Sequence, residues 1–198
     1  ATVPPTLSPS YGSAALLAEV RGHTVPRLFT PPLVPPGPSE CPCGSCGLTP
    51  ATSDGFAFIE FNRDVLCSPL DPWQEFVSIH GLELLPDGRP RFRVVLLLVS
   101  RQNGKTELPV RLSLWWQFVC LVPLILGTST KLDYAKESWM KAVKLAEKAP
   151  GIPVTRDDRK RWTRQANGEQ ESWHTTEDGD DCRYKIAASN EEGGRSLT

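Results

Sequence analysis

Apolar positions recur along this chain with two different periods, and the recurrence starts only after residue 50 or so. Phe56, Ile59, Phe61, Val65 and Leu66 share one helix face, which Ser53 or Asp54 can cap. Ser68-Pro69 breaks that helix. Asp71-Pro72-Trp73-Gln74 opens a second one: Asp is an N-cap, Pro fits the first helical position, and Gln three residues after the cap reaches back to the cap N–H. Its apolar face is Phe76, Val77, Ile79, Leu82 and Leu85, and Pro86-Asp87-Gly88 is a turn. From Phe92 to Val99 the chain is apolar almost without alternation. That pattern predicts a strand buried on both faces, as at the centre of a parallel sheet.

A polar loop follows, then a helix over 108–120 and a short buried strand over 123–126, ended by Gly127. Thr130 caps a helix running to about Ala149. Its stripe is Leu132, Ala135, Trp139, Ala142, Val143 and Ala146, and Glu137 and Lys141 stand at the supportive i,i+4 spacing. Beyond Pro150-Gly151, short strands are expected over 161–165, 171–175 and 183–189, with turns at Asn167-Gly168 and Asp178-Gly179. Strand, helix, strand order predicts an α/β fold with a parallel sheet flanked by helices.

Residues 1–50 lack this periodicity and hold 11 of the 19 prolines. They read as an extended or disordered arm, with one or two short helical turns at 14–20, ahead of one domain over 51–198. A chain of 198 residues, 39% of them hydrophobic, suits one domain with a tail. The net charge of -1 excludes a histone-like polybasic protein. The longest apolar runs, 94–99 and 118–126, are far shorter than the roughly 18 residues a membrane span needs, and no basic-then-apolar leader opens the chain.

Six cysteines are too few and too uneven for a disulfide scaffold. Cys41, Cys43 and Cys46 offer three zinc ligands. A structural site needs four, and no His or Cys follows at finger spacing, so the segment reads as a Pro/Gly/Ser-rich loop. Of Cys67, Cys120 and Cys182, two sit in apolar settings and read as small core residues. His23, His80 and His174 form no triad or ligand spacing. Arg156, Arg159, Lys160, Arg161 and Arg164, with Trp162 among them, read as a solvated face offset by Asp157 and Asp158 rather than as a DNA track.

Candidate chemistry concentrates in Ser100-Arg101-Gln102-Asn103-Gly104-Lys105-Thr106, between the expected strand and the next helix. Loop N–H groups leading into a helix N-terminus make an anion site. Gly104 admits a close backbone approach to phosphates, Lys105 supplies an ammonium for the β/γ-phosphates, and Thr106 offers a hydroxyl to Mg²⁺. A full Walker A pattern has glycine five residues before Gly104, where this chain has Val99. Pro109 falls in the first turns of the following helix, where an interior proline costs about 3 kcal/mol and implies a kink or a degenerating copy.

This loop resembles the deviant Walker A of bacteriophage terminase large subunits, in which an Arg-Gln-x-Gly-Lys-Ser/Thr loop replaces the glycine-rich one. The likeness extends over about residues 50–198. It takes in Pro72-Trp73-Gln74, the segment from Leu84-Leu85-Pro86-Asp87-Gly88 to Phe92-Arg93, and Leu126-Gly127-Thr128 with Leu132-Asp133-Tyr134-Ala135-Lys136-Glu137. It ends in Ile186-Ala187-Ala188-Ser189-Asn190 and Gly193-Gly194-Arg195.

The resemblance implies an additional-strand P-loop ATPase in a bacterial host's cytoplasm that drives double-stranded DNA into a procapsid. Its partners would be a portal, a small terminase subunit and further copies of itself. By position, Arg101 would contact the γ-phosphate or sense hydrolysis, Ser100 to Thr106 would cradle ATP with Mg²⁺ on Thr106, and Gln74 would read the adenine edge. The family's Walker B strand, ending in Asp-Glu, should follow Gly193-Gly194-Arg195, and the chain stops at Thr198. The expectation is therefore an incomplete P-loop sheet that binds nucleotide but barely hydrolyses it. The alternatives are a fragment of another P-loop enzyme, such as a kinase or helicase, and a truncated, non-functional prophage product.

Overall fold

The described residues form four helices and a small sheet, and the two longest helices pack against the sheet. The computed structural model describes residues 23–154, 162–166 and 169–188. The expected helical turn at 14–20, the basic residues Arg156, Arg159, Lys160 and Arg161, the Asn167-Gly168 turn and everything past Ala188 lie outside them.

Helix α1 spans Gly55–Glu60 and continues as a π-helical turn, Phe61–Val65. Ser53 starts it: its Oγ accepts the Gly55 N–H at 3.0 Å and donates to the Ile79 carbonyl at 2.6 Å. The π turn has a local cause. Buried Asn62 sends its amide nitrogen back to the Phe58 carbonyl at 2.7 Å, and the Leu66 N–H reaches Phe61 O at 3.0 Å, five residues back. Helix α2, Pro72–Gly81, begins at the expected capping box, with the Asp71 N–H donating to Gln74 Oε1 at 3.0 Å.

Helix α3 is Glu107–Phe118. Pro109 is therefore its third residue, where the N–H it lacks would have had no intrahelical acceptor. The expected penalty does not arise. Helix α4, Leu132–Lys148, is capped at Lys131 rather than Thr130, and it buries Ala135, Trp139, Ala142, Val143 and Ala146. Glu137 and Lys141 pair at 3.7 Å.

Among the described residues the sheet has four strands: β1 Leu124–Ser129, β2 Thr163–Ala166, β3 Glu169–Thr175 and β4 Asp181–Ala188, in the order β1-β4-β3-β2. β1 and β4 are parallel, while β3 pairs antiparallel with both β4 and β2. The fold is mixed α/β with a mixed sheet rather than the all-parallel one expected. β1 lies at the sheet edge and buries Ile125, leaving Leu124 and Leu126 exposed; it is not the fully buried strand predicted. Helices α3 and α4 cover the sheet, and Trp139, Leu114, Trp115, Ile125, Tyr184 and Ile186 belong to one core.

The largest departure is at 92–99. These residues form no strand, and Val94, Leu96 and Leu98 are 81%, 79% and 85% exposed. An apolar run becomes an interior strand only where neighbours present hydrogen-bonding edges on both sides. Among the described residues, none pairs with this run. Residues 23–50 depart in the opposite direction. They are irregular, as expected, but packed: Cys41 and Leu48 are buried in a second core with Phe56, Phe76 and Ile79. Of the scattered cysteines, Cys182 is buried while Cys67 and Cys120 are exposed.

Candidate functional site

Residues 100–106 curl between the extended run and α3. Gln102 and Gly104 both take left-handed backbone, with φ of 64° and 68°. That conformation costs a non-glycine residue about 1–2 kcal/mol, so Gly104 adopts it readily and Gln102 is held there. Asn103 Nδ2 donates to Ser100 Oγ and closes the loop. The Glu107 N–H donates to the Gly104 carbonyl at 3.0 Å, which starts the first turn of α3. Lys105 Nζ folds back toward the Val99 carbonyl at 3.5 Å. The Thr106 hydroxyl makes no capping hydrogen bond.

Beside this junction lies a cavity of about 440 Å³, walled by Lys105 and Thr106 at the entry to α3, Thr128 and Ser129 at the end of β1, and Glu137 and Lys141 on α4. The carboxyl end of a strand beside a helix N-terminus is where open α/β sheets place ligands. Lys141 bridges Glu137 at 3.7 Å and Glu107 at 3.5 Å. The sequence pointed to Lys105 and Thr106, and the fold sets both on this cavity. Ser100, Arg101, Gln102 and Asn103 are exposed on the loop and do not wall it. Thr128 entered the sequence reading only within the Leu126-Gly127-Thr128 likeness, with no role in the site, and Ser129 not at all. Their only signal was a polar pair closing an apolar strand.

Gln74 is buried and already engaged. Its Oε1 caps α2, and its Nε2 donates to the Gly104 carbonyl at 3.4 Å. Gln74 thus ties the loop to α2, and no adenine contact is needed to explain it. Gln74→Leu should cost roughly 1–2 kcal/mol in thermal unfolding. Gln74→Glu keeps the cap acceptor but buries a carboxylate with one oxygen against the Gly104 carbonyl, so it should cost at least as much.

A second cluster forms where none was expected. Cys41, Cys43, Cys46 and His80 bring one ligand atom each to within 4.8 Å of one another. His80, near the end of α2, stacks on Phe76 at 4.0 Å and meets the edge of Phe29 at 5.3 Å. Burial lowers its pKa, against a smaller opposing pull from Glu83, so the ring is neutral at pH 7. Burial raises the Cys41 thiol pKa. At Cys43 burial acts the same way but is outweighed by hydrogen bonds from the Ser45 backbone and the neighbouring thiols, and its pKa falls.

No helix among the described residues is long and apolar enough to cross a membrane. Comparison with protein-family models, with curated proteins and with solved structures gives no match to this chain.

Proposed function

We propose that this chain is the ATP-binding part of a DNA-packaging terminase large subunit. The observation that carries the reading is the cavity between α3 and β1, with Lys105 and Thr106 on its wall. The loop resemblance supplies the rest. In this reading Lys105 turns from the Val99 carbonyl to the β/γ-phosphates, and the N-terminal end of α3 adds its dipole. The Thr106 hydroxyl holds Mg²⁺, which supplies charge neutralisation between the phosphates. Arg101, exposed on the loop, reaches the γ-phosphate. Double-stranded DNA, the portal, the small subunit and neighbouring copies would engage the complete motor.

The exposed run at 94–99 sets the strength of this site. A phosphate loop is usually anchored on an interior strand. Here the described anchor is the single Gln74–Gly104 hydrogen bond, so ordering the loop costs free energy on binding and the affinity is weak. Turnover should be very slow as well, because the carboxylate on the cavity wall, Glu137, is paired with Lys141.

Titration of the chain with a fluorescent ATP analogue, with and without Mg²⁺, tests the proposal. Binding should be Mg²⁺-dependent and weaken by about tenfold or more in Lys105→Ala, since a charge-assisted phosphate contact is lost. Equal affinity of the variant and the parent would reject it.

A further inference from the structure

Four side chains that no function above uses meet at one point: Cys41, Cys43, Cys46 and His80. The backbone between the cysteines is shaped to bring them together. The Gly44 N–H donates to the Cys41 carbonyl at 2.8 Å, and Gly44 is left-handed with φ 68°. Gly47, directly after Cys46, is left-handed as well, with φ 72°, and a Cβ there would fall 2.2 Å from the Pro35 carbonyl oxygen. Only glycine fits. The Gly47 N–H in turn donates to Gly37 O at 3.0 Å, and Ser39 Oγ takes the Cys46 thiol at 3.3 Å. This hydrogen-bonded loop puts three sulfur atoms on one side, facing α2.

His80 faces them from α2. It is buried, and neither ring nitrogen has a hydrogen-bond partner. A buried polar atom left unpaired costs about 1–3 kcal/mol. Such an imbalance persists where something else takes the lone pair.

We propose that Cys41, Cys43, Cys46 and His80 form a tetrahedral zinc site of the Cys₃His type. Zn–S bonds of about 2.3 Å put sulfur atoms roughly 3.8 Å apart around the metal, so ligand atoms within 4.8 Å of one another close by at most about 1 Å to receive it. Three thiolates and one imidazole suit zinc better than harder cations, and iron–sulfur clusters ordinarily take four thiolates. With all four positions filled by protein, the site is structural. It explains how a proline-rich segment with no strand ladder of its own stays packed: the metal fastens residues 37–47 to the far end of α2. The opposite end of α2 carries Gln74 and the loop contact.

The full chain, produced without a polyhistidine tag and purified reduced, is assayed for metal by mass spectrometry. One zinc per chain is expected. Cys67→Ser and Cys120→Ser should keep it, while Cys43→Ser and His80→Ala should lose most of it. Cobalt added to the metal-free chain should give the intense visible bands of a tetrahedral centre and near-ultraviolet thiolate charge transfer. His80→Cys should keep the tetrahedral bands and raise the charge-transfer intensity by about a third, because thiolate ligands rise from three to four. That variant and the parent titration keep the test decisive even if Cys43→Ser fails to fold. The proposal is overturned by a reduced chain that carries no stoichiometric zinc and gives no tetrahedral cobalt spectrum. It is equally overturned by Cys41, Cys43 and Cys46 serine variants that each keep one zinc, or by two of these cysteines found disulfide-linked in the folded protein.

Discussion

Trp139→Ala should lower the unfolding free energy by about 3–5 kcal/mol in urea titration followed by far-ultraviolet circular dichroism. Trp139 sits midway along α4, is fully buried, and belongs to the core that α3, α4 and the sheet share. Truncation removes the largest fully buried side chain of the described residues and leaves a cavity that two helices and a sheet cannot easily close. Whole domains are stable by only about 5–15 kcal/mol, so the variant should be partly unfolded near body temperature. A companion measurement separates packing from polarity. The Trp139 indole nitrogen has no hydrogen-bond partner. Trp139→Phe gives up some volume but also removes that orphaned donor, and it should cost well under half as much as the alanine. If the two variants cost the same, the indole N–H has a bound partner such as water and the packing argument is incomplete.

The helix that carries Trp139 was legible because a stripe of one period needs only one covering surface, and the sheet supplies it. The capping box at Asp71 and Gln74 was legible for a similar reason: its bonds are made within four residues. Legibility failed where an element depends on something far away in sequence. The run at 94–99 has the composition of an interior strand, but pairing is a property of two segments, and no described residue pairs with it. The cysteine loop was dismissed for want of a fourth ligand within finger spacing, and the fold supplies that ligand from α2. Pro109 was misjudged because an interior cost was charged to a first-turn position: the expected helix over 108–120 already put it in the first turn, and the start at Glu107 keeps it there, where proline is harmless. Of the loop over 100–106, Lys105 and Thr106 were singled out by their type and order, and both stand on the cavity wall. Thr128 and Ser129 were not assigned to that site, because their place on the cavity follows from how β1 lies beside α3.

The same dependence on distant partners makes Arg91 a sensitive charged residue. Glu83 is 1% exposed, and its two oxygens are both engaged: Oε1 accepts the Leu33 N–H at 2.7 Å, and Oε2 accepts from Arg91 at 2.5 Å. Arg91 also donates to the Pro31 carbonyl at 2.8 Å and lies over the Phe92 ring at 4.7 Å. One carboxylate and one guanidinium thus hold the 31–33 segment against the turn at 83–91, beside the cysteine loop. Arg91→Met keeps much of the side chain's apolar stem but strands a carboxylate in the interior. The expected loss is about 3–5 kcal/mol, since an uncompensated buried charge is far costlier than the pair it belonged to. Adding Glu83→Gln should then restore most of that loss, because the amide oxygen can still accept from Leu33 and no charge remains to be buried. A double-mutant cycle by chemical denaturation reads this directly. A double variant no more stable than Arg91→Met alone would mean that the donor to Pro31 or the stacking on Phe92, not the ion pair, secures the segment.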